Sequence, residues 1–182
     1  MEFEIKVNQD ISLRLRKLSD VKEFFEVTDK NRARLREWFP WVDNVKGEED
    51  EKKYIEHCLD TFKNKTGLDM GIWYQGKMSG SLGFHDIDIK NKKASIEFWI
   101  DKDHERKGII TTATKALINY GFNELGLNRI DIGCAAGNIR SCAVPERLNF
   151  KFEGIEREYE WLYDHFVDIK LYSVLKKEWK TE

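Results

Sequence analysis

Ala94 to Ile100 reads Ala-Ser-Ile-Glu-Phe-Trp-Ile, and only the charged loop Asp101 to Lys107 separates it from Gly108 and an apolar-periodic stretch ending near Leu125. The first segment has the character of a strand. In the second, Ile109, Ala113, Ala116, Leu117, Tyr120 and Leu125 recur at helical spacing, with Gly126 as a stop. A strand feeding straight into a long helix calls for a sheet with helices packed on it.

The flanking segments extend that pattern. Ile11 to Arg16 alternates apolar and polar residues as a half-buried strand does, and Ser19-Asp20 opens a helix from Val21 to Asn31. Pro40 limits any helix through Leu35 to Trp41. Glu48, Glu49 and Asp50 open a second helix to about Asn64. Leu68 to Tyr74, the turn Gln75-Gly76-Lys77 and Met78 to His85 form a hairpin. Arg129 to Cys134 is a strand and Asn138 to Leu148 a short helix, after which Asn149 suits a left-handed cap. Phe150 to Tyr159 and Phe166 to Leu175 close the chain as strands. The order predicts an α+β, or mixed α/β, domain with a mostly antiparallel sheet of about seven strands, and no linker divides residues 1–182.

Composition removes several classes of function. The 182 residues carry 31 Lys+Arg against 33 Asp+Glu, a net charge of -2, without the basic excess of a nucleic-acid binder. No apolar run approaches the roughly 20 residues that span a bilayer, and the start lacks a secretory pattern, so neither a membrane nor export is expected. Cys58, Cys134 and Cys142 are odd in number and widely spaced, which predicts reduced thiols in a cytoplasmic protein rather than disulfides or structural zinc. His57, His85, His104 and His165 lack metal-ligand spacing, and no metal is expected.

The loop before Gly108 is the first candidate for chemistry. A helix N-terminus offers free N–H groups to a phosphate, Arg106 and Lys107 add charge, and Gly108 lets a pyrophosphate approach the backbone. The same residues would equally make a solvated loop closed by an ordinary glycine. Other phosphate and cation motifs fail. Gly71 to Met78 fits G-x-x-x-x-G-K, but it lies between strands and Met78 replaces the Ser/Thr. Asp101-x-Asp103-x-Glu105 opens like a calcium loop but has Arg106 where the turn glycine belongs.

Three segments in this order and spacing, Glu105 to Thr111, Asn138-Ile139-Arg140-Ser141 and Val144 to Phe150, resemble the GNAT acetyltransferase superfamily. More closely they are similar to its RimJ/RimL branch of ribosomal-protein N-terminal acetyltransferases. Glu105 and Ile110 depart from that branch's Gln/Arg-x-x-Gly-x-Gly/Ala pattern, and Asn149 stands where it has glycine. Leu35 to Trp41, Ile96 to Ile100 and Asp168 to Tyr172 extend the likeness over nearly the whole chain.

The resemblance implies a GNAT fold with helices on both faces of the sheet. It implies acetyl-CoA between two splayed strands, Ala94–Ile100 and Arg129–Cys134, with the backbone of Phe98, Trp99 and Ile100 pairing with the pantetheine. The N–H groups of Lys107, Gly108, Ile109, Ile110 and Thr111 would hold the pyrophosphate, Asn138 the pantetheine, and Arg106, Arg140 or Arg147 the phosphates. The acceptor it implies is a primary amine, first a protein N-terminus and otherwise a small molecule. A non-catalytic acyl-CoA-binding module is the rival from another class, and a homodimer is compatible with either.

Acyl transfer needs a neutral amine and a proton for the leaving thiolate. The resemblance places Ser141 near the sulfur. The same serine is also a candidate helix N-cap. Glu97, on one strand face with Ser95 and Trp99, and His85, on the neighbouring strand, are rival bases. Trp38, Phe39 and Trp41 either pack the core or wall the acceptor groove. Asp168 and Tyr172 support the fold, and nothing near Cys134 or Cys142 suggests a nucleophile.

Overall fold

Along the computed structural model, which describes residues 2–180, come β1 (Glu4–Lys6), β2 (Ile11–Leu15), α1 (Val21–Lys30), the single turn α2 (Arg32–Leu35) and α3 (Glu48–Asn64). Then follow β3 (Leu68–Tyr74), β4 (Lys77–Asp88), β5 (Lys93–Ile100), α4 (Ile109–Asn123), β6 (Arg129–Ala135), α5 (Ile139–Arg147), β7 (Lys151–Leu162) and β8 (His165–Leu175). Met1, Thr181 and Glu182, at the bounds of the expected domain, lie outside the described residues.

One eight-stranded sheet runs β1-β2-β3-β4-β5-β6-β8-β7. Every neighbouring pair is antiparallel except β5 with β6. This is the expected mixed α/β architecture with one strand more than predicted. The addition is β1, three residues on the sheet edge that pair Glu4 with Arg14 and Lys6 with Ser12. Too short and too exposed to show a clear alternation, it carries little signal of its own.

Strand alternation sorts the core into two layers. Leu13, Met70, Ile72, Leu82, Phe84 and Ile96 meet the apolar stripe of α4 on one face. On the other, Trp73, Met78 and Trp99 meet Phe24 and Val27 of α1 and Ile55 of α3. The polar members of these strands, Arg16, Asp69, Ser81, His85 and Glu97, therefore fall on the α1/α3 side. Among the described residues no helix is long and apolar enough to cross a membrane.

The parallel pair holds for three rungs only: Lys93 with Arg129, Ala94 with Ile130 and Ser95 with Asp131. Past Ser95 the two strands splay, so β5 from Ile96 onward bonds to β4 alone. Beyond it, the chain enters α4 through Gly108 at φ 73°, a left-handed conformation that L residues disfavour.

Candidate active site

The loop leaving β5 is held by the C-terminal end of α1 and by α2. Lys30 Nζ lies 2.6 Å from both Asp101 Oδ2 and Asp103 Oδ2. Asn31 Nδ2 donates to Asp101 Oδ1 at 3.1 Å, and Asn31 Oδ1 accepts from the Lys102 N–H at 2.9 Å. Burial alone would raise the Asp101 carboxyl, but the Lys30 and Asn31 hydrogen bonds hold it below its ordinary value. Arg34 bonds both the Ile100 carbonyl and the Glu105 carboxylate. Sequence reading missed these three anchors, because their partners lie about seventy residues away.

The loop is thus a fixed approach to the open β5 edge and the N-terminus of α4. Nothing lies within 4 Å of where a Cβ would sit on Gly108. An unpaired strand edge, a helix N-terminus and an unobstructed glycine fit a long, flexible thioester with a pyrophosphate at one end. Gly108→Asp should raise the Kd for acetyl-CoA at least about tenfold, or roughly 1.4 kcal/mol, by charge repulsion at this mouth. Calorimetry with a Tm on the same preparation checks it. Unchanged affinity in a folded variant would put the donor elsewhere.

Three of the four cations expected at the phosphates already have partners. Arg140 pairs with Glu105 at 3.0 Å, Arg147 Nη1 donates to Thr111 Oγ1 at 2.9 Å, and the Lys107 ammonium lies 5.5 Å from the Tyr74 ring centroid. Arg106, exposed and at φ 61°, makes no ion pair among the described residues. Glu105, a departure from the branch pattern, is thus the carboxylate that gathers Arg34 and Arg140.

Asn138 and Ser141 sit where β6 turns into α5, and here one alternative falls. Asn138 caps the helix, its Oδ1 accepting from the Ser141 N–H at 3.2 Å. Ser141 is therefore not the N-cap. It is half-buried in the first turn, and its hydroxyl has no partner among the described residues.

On the α1/α3 face a cavity of about 470 Å³ opens beside β5. Phe39, Trp41, Phe98 and Trp99 line it, with Tyr54 from α3, and so do Glu51, Asp69, His85 and Glu97. Trp38, expected with Phe39 and Trp41, does not line it. Its ring lies against Gly137 in the turn between β6 and α5, 3.2 Å from where a Cβ would sit.

The cavity wall is built on one buried carboxylate. Asp69 pairs with the fully buried Arg16 and accepts from Ser81 Oγ at 2.8 Å, Tyr54 Oη at 2.7 Å and His85 Nε2 at 3.3 Å. Arg16 also donates to Ser81 Oγ at 2.9 Å and stacks over Phe24 at 4.3 Å. Burial would lift Asp69, but the Arg16 charge and then the His85 and Tyr54 hydrogen bonds keep it well below the carboxylate range. Burial would lower His85. Its hydrogen bond to Asp69, that carboxylate's charge and then Glu97 outweigh burial and raise the imidazole above its usual value.

The rival bases stand together, His85 Nε2 4.0 Å from Glu97 Oε2. Glu160 of β7 was not foreseen; partial desolvation and then the charge of Glu97 raise its carboxyl. Cys134 and Cys142 are buried, and burial drives the Cys134 thiol far up, against any nucleophilic use. Asp168 Oδ1 accepts from the Glu158 N–H at 2.8 Å, and Tyr172 donates to Glu146 at 2.9 Å, both as fold supports. No group of three or more potential metal ligands converges among the described residues.

A splayed strand pair with a phosphate-ready helix on one side and a polar-floored aromatic cavity on the other defines a two-substrate group transferase. The family profile described as "Acetyltransferase (GNAT) domain" matches residues 11–151, and the chain belongs to this family. The Bacillus subtilis (strain 168) protein YdaF is 37% identical over 181 residues, 99% of each chain. The ribosomal-protein-serine acetyltransferase of Escherichia coli (strain K12) is 30% identical over 173 residues, 95% of this chain and 97% of that one. Among solved structures, the microcin C7 self-immunity acetyltransferase MccE, in complex with acetyl-CoA and AMP, superposes with a TM-score of 0.90 at 30% identity, covering 93% of this chain and 94% of that one. RimL, the ribosomal L7/L12 alpha-N-protein acetyltransferase in complex with coenzyme A, gives a TM-score of 0.92 at 26% identity, covering 95% and 98%.

Proposed function

We propose that this acetyltransferase moves the acetyl group of acetyl-CoA onto a protein N-terminal amine in the cytoplasm. The observation that carries the reading is the aromatic cavity beside the open β5 edge, in a chain similar along nearly its whole length to the E. coli ribosomal-protein-serine acetyltransferase. Three free cysteines suit the reducing compartment. A small-amine acceptor is the second reading, favoured by 27% identity over 134 residues to a Bacillus subtilis subsp. natto protein named as a probable spermine N(1)-acetyltransferase.

When bound, acetyl-CoA supplies the activated acyl group. The backbone from Phe98 to Ile100 and the N–H groups from Lys107 to Thr111 hold it, with Asn138 and the cations Arg106, Arg140 and Arg147 along its length. The amine forms the new N–C bond as the C–S bond breaks. His85, its Nε2 tied to Asp69, leaves Nδ1 to take the amine proton directly or through water, and Ser141 gives a hydrogen bond to the departing thiolate. Phe39 and Trp41 wall the acceptor.

A base must be deprotonated, so a raised His85 pKa predicts that kcat climbs with pH through a limb above about 6.5. His85→Gln should abolish that limb and leave acetyl-CoA affinity intact. If Glu97→Gln abolishes it instead, Glu97 is the base. If neither variant changes kcat more than about threefold, solvent does the work and both assignments fall. The function itself is tested by comparing N-terminal acetylation in a deletion strain and its parent. One lost mark, restored by the purified enzyme on the matching peptide, supports the reading. Tight acetyl-CoA binding with no acceptor-dependent CoA release would make the chain a binding module.

A further inference from the structure

Glu51 is a buried carboxylate of the cavity wall with one oxygen left without a partner. It sits in the first turn of α3, only 1% exposed, and lines the cavity wall. Oε1 is sealed from solvent without a hydrogen-bond partner. The neighbouring guanidinium ends are committed elsewhere. The Arg16 terminal nitrogens are taken by Asp69, Ser81 and Cys58, its Nε–H is left without a partner, and its charge acts on Glu51 without a hydrogen bond to it. Arg32 donates to the carbonyls of Val42 and Val45, both at 2.6 Å, and to Asp29 at 2.9 Å. The buried Thr28 hydroxyl acts on the carboxylate from close by and lowers its pKa, but burial raises it more.

Asp69, in the same cavity, shows the contrast, because four side chains satisfy it. A buried carboxylate left open is costly unless a proton or a ligand completes it. The surroundings select the sign of that ligand. Asp50 and Glu97 line the cavity with Glu51 against one lysine, Lys53, while Asp69 is balanced by Arg16, and the rings of Phe39 and Trp41, 6.0 Å apart, favour a cation and its alkyl stem. An acceptor carrying a carboxylate or phosphate would meet like charge here.

We propose that the acceptor carries a second cationic group, an alkylammonium or guanidinium, which seats on Glu51 while its amine is acetylated. On the N-terminal reading, on which this rests, that group is a lysine or arginine side chain beside the acceptor amine. Glu51 is then the residue that sets specificity, and it takes no part in the proton transfers.

Calorimetry on the whole protein with CoA present tests it in two pairs: 1,5-diaminopentane against pentylamine, and N-terminal peptides with lysine against norleucine at the second residue. The wild type should bind the doubly charged member at least about tenfold more tightly, and Glu51→Gln should bring the two within about twofold. Glu51→Asp, which keeps the charge, should retain part of the preference, with Tm followed for both variants. No preference for the second charge in either wild-type pair, failure to bind it included, overturns the proposal. So does a preference that survives Glu51→Gln. A Glu51-dependent preference for the diamine with no binding of either peptide would keep the subsite and remove the N-terminal reading. Peptides acetylated without regard to the second charge would do the reverse.

Discussion

Asp69→Asn should lower the unfolding free energy by about 3–5 kcal/mol, the usual cost of removing one partner from a buried ion pair. The reason is what stays behind. Arg16, 1% exposed, would keep a full charge with Ser81, the Cys58 sulfur and ring faces around it. Urea unfolding at neutral pH measures the loss, and a change below about 1 kcal/mol would mean that the pair contributes little. The acid side gives an independent check. A carboxyl held below its unfolded value of about 3.9 adds stability above that pH and loses it as the pH falls further, so the acid-dependent part should vanish in the variant. The variant also removes the charge that raises His85, so the limb in kcat should move to lower pH, a change that fold damage alone would not produce.

Ser141→Ala should lower kcat by roughly tenfold to a hundredfold with the acetyl-CoA Kd little changed. A hydrogen bond to the leaving thiolate is strongest in the transition state, so its loss falls on kcat. General-acid help is worth about 10²–10⁴-fold, and serine, a weak acid, belongs at or below the low end. Because Asn138 caps α5, the Ser141 hydroxyl is dispensable to the helix and the Tm should hold. Full activity in the alanine variant would remove Ser141 from the chemistry.

Local patterns carried most of the fold. The acidic turn at Glu48 and the alternation from Leu68 predict α3 and β3 with the bounds found, because periodicity and turn residues act within a few residues. β4 runs on to Asp88 and β7 to Leu162, where pairing with a neighbouring strand, invisible locally, sustains the extension. The backbone half of the site was equally legible, since Gly108 and the charged loop adjoin in sequence. The cavity was not. Arg16, Asp69 and Ser81 meet across 53 and 65 residues, and Glu51 passes for one more acid in a solvated helix start. A clue did exist. Arg16 ends an apolar strand and Asp69 interrupts another, and charged residues in such places seldom stay unpaired.

Past Ser95 the sheet is one chain short, and that gap ties the enzyme's survival to its metabolic supply. Beyond Ser95 the edge of β5 toward β6 has no strand partner, and an edge of that kind opens locally more readily than a paired one. A pantetheine seated on that edge, as proposed, would make the sheet continuous. A ligand held at a hundred times its Kd adds about 2.7 kcal/mol to the folded state. Proteases sample the opened form, so a cell short of acetyl-CoA would degrade this protein faster than a well-fed one. The quantity of enzyme, as well as its rate, would then report on carbon status.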